Sequence, residues 1–251
     1  MPTNELRDKV AFITGGARRV GAITARTLHA AGMRVVLHYR SSRAQAETFA
    51  AELNAQRTAS AALVAGDLLD TARLSALVDE AARAFGCLDV LVNNASSFYP
   101  TPIGAATEKH WDDLIGTNLK APFFLAQAAA PYLTRSTGCI INMADIHAER
   151  PIKHYPIYCA AKAGLVALTK SLARDLGPAV RVNAIAPGTI LWPEGAAAVD
   201  ATKQREMLAR IPLKRSGDPD DIAHAILFLV RDGTYINGQV IAVDGGRSVV
   251  A

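Results

Sequence analysis

Short apolar runs, each closed by glycine, proline, asparagine or aspartate, alternate along the chain with longer stretches whose apolar residues recur at helical spacing. The runs KVAFIT (9–14), MRVVLHY (33–39), SAALVAGD (60–67), LDVLVNN (88–94), GCIINMA (138–144), VRVNAIAP (180–187) and GQVIAVDGG (238–246) predict strands. Most are apolar nearly throughout rather than alternating, as parallel strands covered on both faces are. Between them, one helix places Val20, Ile23, Thr27 and Leu28 on a face before stopping at Gly32, and others cover about 43–56, 71–85 and 108–132. AAKAGLVALTKSLARDL and PDDIAHAILFLV read as two more. Seven strand candidates alternating with helices describe an α/β chain: a doubly wound, seven-stranded, mainly parallel sheet with helices on both faces, in one domain spanning 1–251. The stretch 188–205, which contains Trp192, a proline and a glycine, has weak periodicity. It is expected to lie over a substrate as a lid, the plainer reading being a loop and a short surface helix.

The first strand runs directly into TGGARRVG, where Gly15, Gly16 and Gly21 precede a helix. Strand, glycine turn and helix N-terminus together make a phosphate site, because free backbone N–H groups and the positive end of the helix dipole face whatever lies across the turn. A tight turn with no ligand is the alternative. In a dinucleotide fold an acidic residue about 20 positions past the glycines holds the ribose 2′-hydroxyl. Here that place reads His38, Tyr39, Arg40, Ser41, Ser42. No carboxylate repels a 2′-phosphate, and Arg40 with two hydroxyls can bind one, so NADPH is expected over NADH. Asp67, at the end of the third strand, is a candidate for the adenine amino group or a helix cap. After the fourth strand, NNASSFYPTP supplies two asparagines suited to closing backbone hydrogen bonds. Phe98 and Tyr99, in the same loop, are either loop anchors or a platform for a flat ligand.

Tyr158 and Lys162 lie one helical turn apart and project from one face. A fixed ammonium beside a phenol favours the phenolate, so Tyr158 is expected to have a lowered pKa and to act as an acid or base. Asn118, inside a helical pattern that disfavours it, invites a reason such as a bound water or a kink. Asp145 follows the fifth strand directly, in DIHAERPIKHYPIYCAAK.

Composition narrows the setting. Half of the 251 residues are hydrophobic and a fifth are charged, enough to bury a large core. No segment approaches the run of about 18 apolar residues that a membrane span needs, and a cytoplasmic location is expected. Cys87, Cys139 and Cys159 are odd in number and lack CxxC spacing, so neither a disulfide framework nor a zinc site is indicated. The net charge of +4 comes from scattered basic residues, which suits a phosphate-bearing cofactor better than nucleic acid.

From end to end the chain resembles the short-chain dehydrogenase/reductase family, through TGGARRVG, Asp67, NNAS, Asn118, Tyr158 with Lys162, Pro187 with Gly188, and VDGG. The resemblance implies a Rossmann-type fold and a nicotinamide cofactor. Gly15, Arg19, Val20 and Gly21 would hold it at the first turn, and His38, Tyr39, Arg40 and Ser41 after the second strand. Asp67, Leu68, Asn94, Ala95, Ser96, Pro187 and Gly188 would complete the site with Tyr158 and Lys162. Tyr158 would be the proton donor, Lys162 would lower its pKa and hold the nicotinamide ribose, and Asn118 would position a water in a proton relay. Three positions depart from the family pattern: Arg19 for a glycine, Ser96 for the glycine of NNAG, and Asp145 for the catalytic serine. With HYRSS and NNASSFYPTP they are similar to the pteridine reductases, which reduce dihydropterins or dihydrofolate with NADPH. By that resemblance Phe98 stacks on the pterin, Arg19 and Ser96 contact substrate and cofactor phosphate, and the loop bearing Trp192 covers the substrate. The assembly is then a homotetramer, and Arg247 reaches towards a neighbouring subunit's site.

Asp145 supports this independently. A ketone reductase needs a hydrogen-bond donor where negative charge develops on oxygen, and an ionised carboxylate repels that charge. A nitrogen heterocycle instead presents ring N–H or amino groups that want an acceptor, and a ring nitrogen that must be protonated. Two other readings remain: a carbonyl reductase of the same fold, acting for example on a 3-oxoacyl thioester, and an NADPH-sensing protein without turnover.

Overall fold

The computed structural model describes residues 5–192 and 199–250. Seven strands form one sheet: β1 (Val10–Ile13), β2 (Arg34–Tyr39), β3 (Ala61–Ala65), β4 (Val90–Asn93), β5 (Cys139–Met143), β6 (Arg181–Pro187) and β7 (Val240–Val243). Their order is β3-β2-β1-β4-β5-β6-β7 and every pairing is parallel. The expected doubly wound sheet is therefore present, with no antiparallel member among the described residues. The order reverses between β1 and β4, and ligands of such sheets bind in the crevice that this reversal opens at the strand C-termini.

Alternate residues of each strand feed two separate cores. Ala11, Ile13, Val35, Leu37, Val92, Ile141 and Ile185 face α1 (Arg19–Ala30), α2 (Arg43–Gln56) and α8 (Pro219–Arg231). Val10, Phe12, Val36, Leu91, Ile140 and Val182 face α3 (Leu74–Phe85) and α5 (Ala121–Ser136). The far end of α6 (Pro156–Leu176) joins this second layer through Ala173. Both faces being covered explains why the strands lack polar alternation. In α1 the buried positions are Gly21, Thr24, Ala25, Leu28 and His29, a stripe that keeps the expected Leu28 but is rotated from Val20, Ile23 and Thr27. Small residues on that side let the helix approach β1 and α8 closely.

The helix expected over 108–132 is interrupted. It forms α4 (Glu108–Ile115), a π-helical turn over Gly116–Lys120, and α5. Asn118 sits inside that turn, which accounts for a residue unfavourable in a regular helix. The stretch 188–205 begins irregularly, with bends at Thr189 and Leu191, and ends in the start of α7 (Ala201–Arg210), whose N-cap Asp200 accepts from Thr202 and Lys203 N–H. Residues 193–198 of the expected lid lie outside the described residues. No helix among the described residues is long and apolar enough to cross a membrane.

Candidate active site

A cleft of about 590 Å³ opens at the C-terminal ends of the strands, over the β1/β4 reversal. Its first wall is the glycine turn. Gly15 adopts φ +61°, and a Cβ on Gly21 would lie 2.2 Å from the Gly15 carbonyl oxygen. No other side chain fits there without moving backbone. Asn94 clamps the same turn, donating through Nδ2 to Thr14 O at 2.9 Å and to Gly15 O at 3.3 Å. Thr14 Oγ1 accepts from Asn94 and Ala95 N–H. The expectation that the asparagines close backbone hydrogen bonds holds for Asn94, whereas the Asn93 side chain bonds that of Asn142. Thr14 is the partner that reading the sequence missed, because only the pairing of β1 with β4 brings it there.

Arg19 begins α1 at φ +51°, a conformation L-residues other than glycine, asparagine and aspartate rarely adopt. The resemblance places glycine at this position, and the backbone supplies the reason. Arg19 Nη2 donates to Trp192 O at 3.2 Å, linking the glycine turn to the segment beyond Ile190.

One end of the cleft is lined by His38, Arg40, Ser41, Ser42, Asp67 and Leu68, and the part beside the glycine turn by Arg18, Arg19 and Val20. Cations and hydroxyls at one end, with a glycine turn that excludes a Cβ at its centre, fit a dinucleotide carrying a 2′-phosphate. Arg18 was not singled out beside Arg19, although both adjoin the glycines in TGGARRVG. Tyr39 does not line the cleft; its ring is buried against Ala17 and Ala46. Asp67 also makes a turn, Oδ1 accepting from Leu69 N–H at 3.0 Å. Arg40→Ala should reduce the preference for NADPH over NADH at least tenfold, about 1.4 kcal/mol, while NADH affinity is unchanged. Paired fluorescence titrations check this, and equal losses for both cofactors would remove Arg40 from the 2′-phosphate site.

The catalytic end is assembled by three elements. Helix α6 carries Tyr158 and Lys162 on the face that also buries Leu165, Thr169 and Ala173. That face is held to the sheet by a buried polar chain: Asn93 Nδ2 donates to Asn142 Oδ1 at 2.8 Å, and Asn142 Nδ2 to Thr169 Oγ1 at 2.9 Å. The end of β5 brings Asp145. Its Oδ1 accepts from His147 N–H at 2.8 Å, capping a turn, while its Oδ2 accepts from the Tyr158 hydroxyl at 2.7 Å. Lys162 Nζ donates to Met143 O at 2.8 Å and stands 5.6 Å from the Tyr158 ring centroid. From the π turn, Asn118 Nδ2 donates to Ser97 O and Leu114 O, and its Oδ1 accepts from Ser96 Oγ at 2.6 Å. Ser96 thus engages the asparagine expected in the proton relay.

Charge in this site runs against one expectation. The Tyr158 phenol, 4% exposed, is pushed well above its ordinary pKa by burial first and then by the Asp145 carboxylate; the Ser96 hydroxyl acts in the opposite sense. The lowering expected from Lys162 is therefore corrected: burial of the phenol first, and then the Asp145 carboxylate, raise its pKa, while the Lys162 ammonium bonds the Met143 carbonyl. Tyr158 is a neutral phenol, the form a proton donor needs. Burial lowers Lys162 to about 8, with Asp145 acting upward, so it keeps most of its charge at neutral pH.

Phe98 stacks on Tyr155 at 4.6 Å and 17° and meets Tyr158 edge-on at 4.8 Å. It is both a loop anchor and a wall beside the phenol. Tyr99 serves as an anchor, its hydroxyl donating to Asp113 at 2.8 Å. Pro187 and Gly188 close the cleft from β6. Arg247, expected to reach towards a neighbouring subunit, donates to Thr189 Oγ1 of its own chain at 2.5 Å; burial lowers its pKa, and the Asp145 and Asp244 carboxylates act upward.

A parallel sheet, a dinucleotide cradle at its reversal point and a Tyr–Lys pair beneath it define a nicotinamide-dependent oxidoreductase. The family model described as enoyl-(acyl carrier protein) reductase, adh_short_C2, matches residues 15–248. The chain belongs to the short-chain dehydrogenase/reductase family. A solved relative, a blue fluorescent protein from a metagenomic library in complex with NADPH, superposes with a TM-score of 0.90 at 35% identity, covering 97% of this chain and 99% of its own. The 3-oxoacyl-(acyl-carrier-protein) reductase FabG of Staphylococcus aureus is 39% identical over 241 residues, 95% of this chain and 97% of the relative. Pteridine reductase 1 of Leishmania tarentolae is 37% identical over 281 residues, 96% of each chain.

Proposed function

We propose that this reductase acts on dihydropterins, and on dihydrofolate or oxidised pterins by the same chemistry, yielding the tetrahydro forms. Asp145 carries the reading. Its Oδ2 lies 2.7 Å from the phenol that delivers the proton, so a carboxylate occupies the neighbourhood of the reacting atom. Negative charge there opposes a developing alkoxide but accepts hydrogen bonds from ring N–H and amino groups. NADPH, when bound, supplies the hydride to the carbon of a ring C=N bond. Tyr158 gives its proton to the ring nitrogen, Asp145 orients the heterocycle, and Lys162 holds positive charge beneath the phenol. Substrate contacts are assigned to Arg19, Ser96, Phe98, Asp145, Tyr158 and the segment at Trp192, with Asn118 positioning the proton relay. A homotetramer is part of this reading; Trp111 of α4 and Phe123 of α5, 52% and 39% exposed, suit a subunit contact. So is a cytoplasmic location.

A second reading, reduction of a 3-oxoacyl thioester, is favoured by the names of the Staphylococcus aureus relative and of a putative ketoacyl reductase from Streptomyces violaceoruber, 38% identical over 262 residues. Loss of NADPH absorbance with dihydromonapterin, dihydrobiopterin, dihydrofolate and an acetoacetyl thioester, with and without methotrexate, separates the two. Pterin turnover blocked by methotrexate is expected. Turnover of the thioester alone would replace the first reading with the second, and NADPH binding without any turnover would favour a sensor.

A further inference from the structure

His38 is 2% exposed, is no part of the proton-transfer machinery, and has both ring nitrogens engaged. Nδ1 accepts from the backbone N–H of Gly15 at 3.2 Å. Nε2 lies 3.1 Å from the carbonyl oxygen of Gly66. A backbone N–H can only donate and a carbonyl can only accept, so these two partners fix the tautomer: lone pair on Nδ1, hydrogen on Nε2. An imidazolium would point an N–H at the Gly15 N–H and lose that bond. The ring therefore fastens the left-handed Gly15 turn, which carries the phosphate end of the cradle, to the turn after β3, which carries the adenine end at Asp67. Backbone bonds run parallel to it, from Gly16 N–H to His38 O at 3.0 Å and from Gly66 N–H to Tyr39 O at 3.1 Å.

We infer that His38 is a positioning residue for the cofactor: a neutral imidazole whose bond to Gly15 organises the pyrophosphate cradle, with no contact of its own to the 2′-phosphate. Its surroundings agree. Phe12 of β1 meets the ring edge-on at 6.5 Å. The charged groups facing it are Asp67, from the turn after β3, and Arg40, from the end of β2. Burial lowers its pKa, and Arg40 acts in the same sense, whereas the Gly66 bond and Asp67 act upward. A depressed folded pKa means that the stability His38 contributes is complete above about 6.5, its unfolded value, and is lost as pH falls from there through the folded one.

The inference rests on the NADPH cofactor alone, so it stands or falls apart from the choice of substrate. In the NADPH-bound protein, ¹⁵N–¹H long-range correlation spectra should show one histidine, absent from His38→Gln, as the neutral Nε2–H tautomer from pH 8 down past the ordinary imidazole pKa of about 6.5. His38→Gln and His38→Asn should each weaken NADPH and NADH by the same factor, about tenfold or more, leaving the preference between them intact. The cradle is common to both cofactors, whereas a 2′-phosphate contact is not. Selective loss of NADPH, affinities within twofold of wild type, or an imidazolium in the bound protein would each overturn the inference. Should neither variant fold, the tautomer of the wild-type protein still decides.

Discussion

Tyr158→Phe should lower kcat by about 10²-fold or more at neutral pH, the scale of a positioned acid, with NADPH affinity unchanged. The ring keeps its edge contact with Phe98, and only the hydroxyl that Asp145 accepts from is removed. Asp145→Ala should have an effect of similar size by a different route. The substrate loses the carboxylate acceptor that orients it beside the phenol. On a pterin both variants should fail. On a 3-oxoacyl thioester, removing the carboxylate takes away a repulsion, so Asp145→Ala should not lower that rate. Steady-state kinetics on both substrates check this; an Asp145 variant near wild-type rates on dihydropterin would remove the physical reason for preferring a heterocycle.

Gly21→Ala should abolish useful cofactor binding, weakening NADPH by about 10²-fold, or about 2.7 kcal/mol, or more. Its methyl would lie 2.2 Å from Gly15 O and 2.6 Å from Asn94 Nδ2, so the glycine turn and its clamp must both shift. Overpacking of this kind typically costs about 1–3 kcal/mol in stability as well. Fluorescence titration with NADPH, beside a melting curve, separates lost affinity from lost fold. The same substitution at Gly86, where a Cβ meets nothing within 4 Å, carries only the strain of its left-handed backbone and should leave the cofactor bound. Equal NADPH affinity in the two variants would show that the Gly15–Gly21 approach does not shape the cradle.

Much of this site is legible along the chain because it depends on near neighbours. Apolar runs and helical spacing reveal β1 to β7 and the alternation that dictates a parallel sheet. Tyr158 and Lys162 share a face because they are one turn apart, and the glycines of TGGARRVG mark the turn where a Cβ cannot fit. Missing acid after β2 is likewise a local fact. None of these needs to know what lies across the sheet.

Other features arise only when β1 and β4 pair and the loops at the strand ends converge. Position alone marks Asp145 as unusual, but its hold on Tyr158, and the upward shift that reverses the expected effect of Lys162, require the end of β5 to meet the buried face of α6. Ser96 reaches Asn118 because a π turn interrupts the helix, an irregularity that periodicity does not reveal. His38 reads locally as a neighbour of Arg40, whereas the fold turns it inward to join Gly15 with Gly66. Arg247 comes back to Thr189 of its own chain. Local pattern determined which residues exist to be used; burial and distance, which depend on the whole sheet, decided their partners, their charge and hence their chemistry.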